Sequence, residues 1–579
     1  MLNYLSAMQN MLSEDEKKQL MSIYEPQVVA IPPIDARRDM CIMKDGEIRH
    51  YGLADRKQHG DEGKVIYLYS RNCGLTWSKK YATSNDVMGA SVYLPWCNHY
   101  VTIKPLRIGD NPGTYAYISN IGPDDEQPIK IKLTDTIHGD IFQPVYFEGS
   151  NRIFVTTAHP VDADKKHNPV VFFSDDNGYT WTNVDLKATP MHEVRWPDRG
   201  IRWQNTGTEP SMTKLPDGRL ALVARTSLEY LYVYYSKDNG ESWSDGEPAD
   251  FHCTLTTPFI FSLSDGRIVL FWNNTRPLPE MATEEYNPPA KAGWASVFTN
   301  RDAAHCAVSN DGMNWVGFRE IFLNTARNNA DYRTISGAAS GADRSVQQFQ
   351  AIELPFHKIL VSFGQNESMR KMIIFDIDWL YETTRTEEFK CGLSNVSTFT
   401  YVRSVSGCQI RLGLSGHCHW NRTNGALLMP DPTLNEGEAL FLCTTKDPRL
   451  FSNVQGCVWN FPMSRKGKIV LKLWVEGKGI QLSLTDHWFN PIDTTISKLA
   501  QFSVSITTSE IAEAIWKDVT IEYDLDQNEM TLYDEHHIIA NSKLLNWTST
   551  GISYLHIHTL GEKADYKGTY IGYMSKENC

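Results

Sequence analysis

Glu209 and Arg225 stand 16 residues apart, on either side of the turn Asp217-Gly218-Arg219. Pro210 to Pro216 leads into that turn and Leu220 to Ala224 leads out of it. Two such strands pair antiparallel, which sets the carboxylate and the guanidinium side by side at one end of a hairpin. An isolated pair of this kind is an ordinary cross-strand ion pair. The same groups also suit chemistry on an anionic ligand. A guanidinium grips a carboxylate with two parallel hydrogen bonds and never deprotonates, and a carboxylate beside it can move a proton. Further polar residues near expected strand starts are His59, Gln143, Arg202-Trp203 and Asn273-Asn274. Each is more often structural than functional, and His59, two residues from Asp61, stands first for testing.

Turns of one spelling recur and show what elements must hold these groups. Ser174-Asp175-Asp176-Asn177-Gly178-Tyr179-Thr180-Trp181 and Ser236-Lys237-Asp238-Asn239-Gly240-Glu241-Ser242-Trp243 fit S-x-D-x-G-x-x-W. Ser70 to Trp77 fits with Asn72 in place of Asp, and Ser309 to Trp315 fits with one residue fewer. Apolar, β-branched and aromatic runs precede three of them: Val65 to Tyr69, Val170 to Phe173, Leu231 to Tyr235. Each reads as a strand entering a turn, with Asp, Asn and Gly supplying side-chain bonds and a positive φ. The serines are spaced by 104, 62 and 73 residues. A four-stranded propeller blade takes about 40 to 60 residues, so the first step spans two blades, one with a worn turn. "LPDGRLALVA" from Leu215, "LSDGRIVLFW" from Leu263 and "LPFHKILVSF" from Leu354 repeat as tight turns between inner strands.

A chain of 579 residues exceeds one ordinary core, so two domains are expected. Ser13 followed by Glu14-Asp15-Glu16 reads as the capped start of a short N-terminal helix. Ile374 to Phe389 reads as a closing strand and a linking helix. Beyond about 390 the turn word is absent, and "KIVLKLWVEG", "FSVSI" and "DVTIEYD" alternate as strands of a sandwich. The expected fold is all-β: a six-bladed β-propeller over 30–388, after a helical segment over 1–29, followed by a C-terminal β-sandwich of jelly-roll or lectin-like type over 389–579. That sandwich either packs on the propeller or binds carbohydrate. The net charge of −13 argues against nucleic acid as a general partner. No stretch is apolar enough to span a membrane. The 11 cysteines show neither C-x-x-C pairs nor metal-type spacing. No cofactor and no metal is expected. The N-terminus carries no signal-peptide pattern, so the chain is expected to be cytoplasmic; a leader ahead of Met1 would make it secreted. Oligomeric state is left open.

The turn words resemble the Asp-box, or bacterial neuraminidase (BNR) repeat, of the sialidases. That resemblance implies an exo-acting glycoside hydrolase on terminal sialic acid, or a related 2-keto sugar acid, with a sialylated glycan or other acidic sugar as partner. It implies a clamp of three arginines on the substrate carboxylate: Arg37 or Arg38 after Ile31-Pro32, then Arg225, then Arg301 eight residues before Ser309, with Arg276 as competitor. It implies a general acid about two dozen residues after the first arginine. Asp61 lies 24 residues after Arg37, and Asp55 and Glu62 are its rivals. Glu209 becomes the proton acceptor. The family's nucleophilic Tyr falls here on Gln348, flanked by Gln347, and an amide cannot serve as that nucleophile. Either Tyr332 reaches the site, or a water held by Gln348 and a carboxylate attacks with inversion. Two rival readings remain: a glycosidase or lyase for another acidic sugar, and a non-catalytic carbohydrate-binding propeller.

Overall fold

The computed structural model describes residues 4–36, 38–54, 64–83, 91–109, 111–147, 149–160, 162, 166–193, 195, 204–276, 301, 303–323, 346–364, 370–401, 422–433, 437–450 and 452–577. These residues are overwhelmingly β. The N-terminus forms two helices, Tyr4–Met11 and Glu14–Ser22, rather than one. Ser13 makes the break: its hydroxyl accepts from the Glu16 backbone N–H at 3.3 Å, and Glu16 returns a carboxylate oxygen to the Ser13 N–H at 2.9 Å. This reciprocal cap satisfies donors that a helix start leaves open, and Glu14, Asp15 and Glu16 complement its positive end.

Among the described residues, six four-stranded antiparallel sheets follow. The first holds Met40–Ile42, Ile48–Leu53, Val65–Ser70 and Ser78–Tyr81; the second Ser91–Leu94, His99–Leu106, Gly113–Ser119 and Ile129–Thr134; the third Val145–Tyr146, Ile153–Ala158, Pro169–Ser174 and Thr182–Asp185. The fourth holds Ser211–Lys214, Leu220–Ala224, Tyr230–Ser236 and Glu247–His252; the fifth Phe259–Ser262, Ile268–Trp272, Ala303–Ser309 and Trp315–Leu323. The sixth joins Gln350–Leu354, Lys358–Phe363 and Lys371–Asp376 to the N-terminal strand Gln27–Ala30, so the two ends of this region are stitched into one sheet.

Each turn word closes the third strand of its sheet in the same way. In the fourth sheet Ser236 Oγ accepts from Gly240 N at 2.8 Å, Asp238 Oδ1 accepts from Ser242 N at 2.9 Å, and Trp243 Nε1 donates to Gly240 O at 3.2 Å. The same three bonds recur around Ser70, Ser174 and Ser309. The worn turn lies at Ser119, whose hydroxyl still accepts from Gly122 N and donates to Asp125, six residues on instead of two. These turns also set the order of the sheets. A Cβ on Gly240 would lie 2.7 Å from Phe154 of the third sheet, and one on Gly312 would lie 2.8 Å from Leu215 of the fourth. Gly178 faces Val101 and Ile118 of the second sheet, Gly122 faces Met43 of the first, and Gly74 faces Leu360 and Ile374 of the sixth. Buried apolar clusters follow the same succession, first with second through fifth with sixth, and the sixth shares one with the first and the N-terminal helices. First strands of the second to sixth sheets line a common cavity of about 180 Å³, through Val92, Val145, Ser211, Ile260 and Ala351, with Tyr4 also on its wall.

After Lys371–Asp376 the linking element is a short 3₁₀ helix, Ile377–Tyr381, capped by the Asp376 side chain. Strand Arg385–Glu387 then joins Asp565–Glu577 in an eight-stranded sheet. A five-stranded sheet carries Gly456–Ser464, Ile480–Thr485, Phe502–Ile506 and Ile552–Thr559. Both sheets supply one buried cluster, with Ile469, Leu471, Leu473 and Ile521 from the first and Trp459, Leu482, Phe502 and Ile557 from the second. In strand Lys466–Val475 every second residue is buried, the period that a one-faced strand demands. Thr275 bridges Trp488, and the backbone N–H of Arg276 donates to Trp488 O at 2.9 Å, tying the fifth sheet to the C-terminal region.

Candidate active site

Pairing between Ser211–Lys214 and Leu220–Ala224 sets Ser211 opposite Val223. Two residues further out, that register brings Glu209 opposite Arg225, and Arg225 Nη1 donates to Glu209 Oε2. Glu209 stands two residues ahead of the first strand of its sheet. So do Arg38 in the first sheet, Gln143 in the third, Thr257 in the fifth and Gln348 in the sixth. Strand geometry therefore delivers five polar side chains to the same end of five sheets, where Arg38, Glu209, Thr257 and Gln348 meet.

Arg38 Nη1 donates to Gln348 Oε1 at 2.6 Å and to Glu209 Oε1 at 3.2 Å. Gln348 Nε2 donates to the same Glu209 oxygen at 2.9 Å and reaches Thr257 Oγ1 at 3.4 Å. The Arg38 guanidinium also lies 4.1 Å from the centre of the Phe142 ring, a cation–π contact strengthened by exclusion of water. Below this layer Gln350 Nε2 donates to Gln143 Oε1 at 2.7 Å, and Gln143 Nε2 to Ser91 O at 2.7 Å. Arg38, Glu209, Arg225 and Gln348 are each at most 5% exposed. Glu209 and Gln348 both hold a positive φ, 50° and 64°. Residues other than glycine adopt that region at a cost of about 1–3 kcal/mol, which such clusters sustain at functional sites.

Burial alone would raise the Glu209 pKa. The Arg225 and Arg38 guanidiniums outweigh it, with help from Gln348 and Thr257, and hold the carboxyl far below its usual range. The two arginines are therefore not free cations converging on a ligand: Glu209 already supplies one carboxylate to both. Arg301 is fully buried and donates through Nη2 to Leu255 O, while its own carbonyl accepts from Val346 N at 2.7 Å. Arg225 and Arg301 both act on the Cys253 thiol, so they approach one region. Burial still pushes that thiol up, against its hydrogen bonds to Thr256 and the two guanidiniums.

Among the other sequence candidates, Gln347 is buried next to Gln348 with its carbonyl held by Gly364 N at 2.7 Å. The Arg276 guanidinium stands over Phe489 at 5.6 Å, toward the C-terminal region. Asn273 Nδ2 donates to Val346 O at 3.0 Å, just ahead of Gln347. Arg37, His59, Asp61 and Tyr332 lie outside the described residues, as do Asp55, Glu62, Arg202 and Trp203. Thr257 and Phe142 join the site without having been singled out. The signal that finds Thr257 is its place two residues ahead of a first strand, legible only once the strand starts are known.

Comparison with known proteins bears on this arrangement. Residues 115–341 match the BNR repeat-like domain family. A sialidase of Clostridium perfringens is 36% identical over 84 residues, covering 13% of this chain and 22% of that protein. A sialidase of Paraclostridium sordellii is 27% identical over 161 residues, covering 25% of this chain and 39% of that protein. The match to the BNR repeat-like domain therefore covers the middle of the chain, and the two relatives are similar to shorter stretches of it. The chain spans well under half the length of the two curated relatives it matches. Among solved structures similar to it, Trypanosoma rangeli sialidase in complex with 2,3-difluorosialic acid is 10% identical with a TM-score of 0.35, covering 95% of this chain and 91% of that chain. A mutant of NanB sialidase from Streptococcus pneumoniae is 14% identical with a TM-score of 0.38, covering 64% of this chain and 73% of that chain.

Proposed function

We propose that this chain is a glycoside hydrolase of the sialidase kind, releasing a terminal sialic acid or a related 2-keto sugar acid from a glycoconjugate. The observation that carries this reading is the buried cluster of Arg38, Glu209, Arg225 and Gln348 at one end of the sheets. The six sheets are read as the blades of a six-bladed propeller, with the strand Gln27–Ala30, just ahead of the expected start at 30, completing the sixth. The cyclic succession of shared clusters and the common cavity support that architecture. The two C-terminal sheets are read as a β-sandwich of jelly-roll type that begins earlier than expected, with the strand Arg385–Glu387, and the two helices ahead of Gln27 as the N-terminal helical segment.

In this reading the substrate carboxylate enters among Arg38, Arg225 and Arg301, with Arg37 adjacent in sequence. Asp61 protonates the leaving oxygen. Glu209 is the proton acceptor, and its depressed pKa makes it a weak base while it neutralises both arginines. A second carboxylate from the substrate shares those charges, so binding itself raises the basicity of Glu209. The Gln348 amide joins Arg38 to Glu209 and is suited to orient a water, with inversion at the anomeric carbon. Tyr332 as nucleophile, with retention, is the other route.

Turnover of a fluorogenic sialoside by the purified chain, beside an Asp61→Ala variant, tests the proposal. Hydrolysis that falls at least about 100-fold in the variant supports it. Turnover of other acidic sugars alone favours a different glycosidase or lyase, and saturable binding without turnover favours a carbohydrate-binding module. NMR of the first-formed anomer separates inversion from retention.

A further inference from the structure

Three side chains that the sugar chemistry does not use meet where the fourth sheet faces the C-terminal region. His252 ends the strand Glu247–His252, and Asp486 and His487 follow the strand Ile480–Thr485. Asp486 Oδ2 lies 3.3 Å from His252 Nε2, and Asp486 Oδ1 lies 2.6 Å from His487 Nδ1. One ligand atom from each residue falls within 4.8 Å of the others. We propose that His252, Asp486 and His487 bind a divalent transition-metal ion of the zinc type, clamping the two regions of the chain together.

The donor set suits such an ion: two imidazoles and one carboxylate, with a water completing a tetrahedron. Ligand atoms about 2.1 Å from a tetrahedral ion stand roughly 3.4 Å apart, close to the His252–Asp486 separation. The His487 contact is shorter and opens as the ion enters. The imidazoles stack at 3.8 Å with 22° between their planes, and that angle must widen for both lone pairs to converge. Each ring then carries its proton on its other nitrogen.

The support around the three donors is already built. Asp486 N donates to Gln501 Oε1 at 3.0 Å, and its carbonyl accepts from Asn274 Nδ2 at 2.9 Å and Ser553 Oγ at 3.0 Å. His252 is held between Tyr230 at 4.4 Å and His487, and His487 faces Phe489 at 4.5 Å. Outer contacts of this kind orient metal ligands. Asp486 and His487 are buried, while His252 keeps 20% of its side chain exposed, leaving an approach for the ion. His252 adjoins Cys253, the residue on which Arg225 and Arg301 both act. An ion here would also stiffen the segment beside those arginines.

The test uses the full chain, stripped with chelator and titrated with Zn²⁺ by calorimetry, with Co²⁺ as a spectroscopic probe. Cys391, an exposed thiol, and His417, Cys418 and His419, adjacent in sequence, are first replaced so that they do not compete. One equivalent of Zn²⁺ and the visible bands of tetrahedral Co²⁺ are expected. His252→Ala and Asp486→Asn should each weaken binding at least about 100-fold. His252→Gln, at the partly exposed position, serves if the others fail to fold. Absence of one-equivalent binding in the background protein, or binding that survives a folded His252 variant unchanged, overturns the proposal. Neither outcome depends on whether the chain hydrolyses sialosides.

Discussion

Glu209 is the residue on which the others depend. Replacing it by Gln leaves Arg38 and Arg225 buried without their shared anion, and breaking a buried pair in this way costs about 3–5 kcal/mol. Urea denaturation should show that loss, and sialoside turnover should fall with it. The pH dependence has a definite sign. Because the folded Glu209 pKa is depressed, its stabilisation is complete above the unfolded value of about 4.3 and is lost as pH falls toward the folded value. The stability gap between wild type and Glu209→Gln is therefore expected to stay constant above about pH 5.5 and to narrow below it. Gln348→Ala removes one acceptor from Arg38 and one donor to Glu209. A cost of about 1–3 kcal/mol in stability is expected. If Gln348 orients the attacking water, kcat should drop while KM changes little. A rise in KM alone would make Gln348 a binding residue only.

At the scale of the element, the repeated turn can be divided into its backbone and packing parts. Gly218 and Gly240 have nearly equal φ, 88° and 89°. An added Cβ meets nothing within 4 Å at Gly218 but lies 2.7 Å from Phe154 at Gly240. Gly218→Ala should cost about 1 kcal/mol from the positive φ alone. Gly240→Ala should cost about 1–3 kcal/mol more, because Phe154 of the neighbouring sheet must shift. Chemical denaturation of the two variants measures the difference, which is the contribution of sheet-to-sheet packing at a turn word. These turns were legible in the chain because Ser, Asp, Gly and Trp each have a fixed bond to make. The worn turn was not, because at Ser119 the acid comes six residues later and the Trp is missing. The Ser13 cap that begins the second helix was legible, but the separate helix Tyr4–Met11 ahead of it was not, because no acidic first turn announces it.

For the whole molecule, several imidazoles are buried in their neutral form. Burial pushes His50 down to about 3, and burial with the nearby His556 pushes His558 down to about 3. Burial lowers His556 as well. A histidine depressed in the folded state favours folding fully above its unfolded pKa of about 6.5, and that contribution drains away as pH falls toward the folded value. Each such residue should cost about 1.4 kcal/mol per pH unit within that window. Denaturation midpoints are thus expected to fall steeply between about pH 6 and pH 4. His50→Gln, which can keep a bond to Ser362 Oγ, should flatten the slope by about one proton.

Sequence by itself determined what local chemistry can write: four turn words, the strands that enter them, and the hairpin that sets Glu209 against Arg225. These follow because a turn's bonds and a hairpin's register depend on residues close in the chain. Only the tertiary structure decided which partners those residues take. Arg38 and Gln348 are 310 residues apart, yet they meet because each precedes the first strand of its sheet by two residues and the sixth sheet packs against the first. His252 and Asp486 meet where two different sheets pack. No spacing along a chain encodes such a meeting, because the order in which sheets pack is set by buried surface contributed from every one of them.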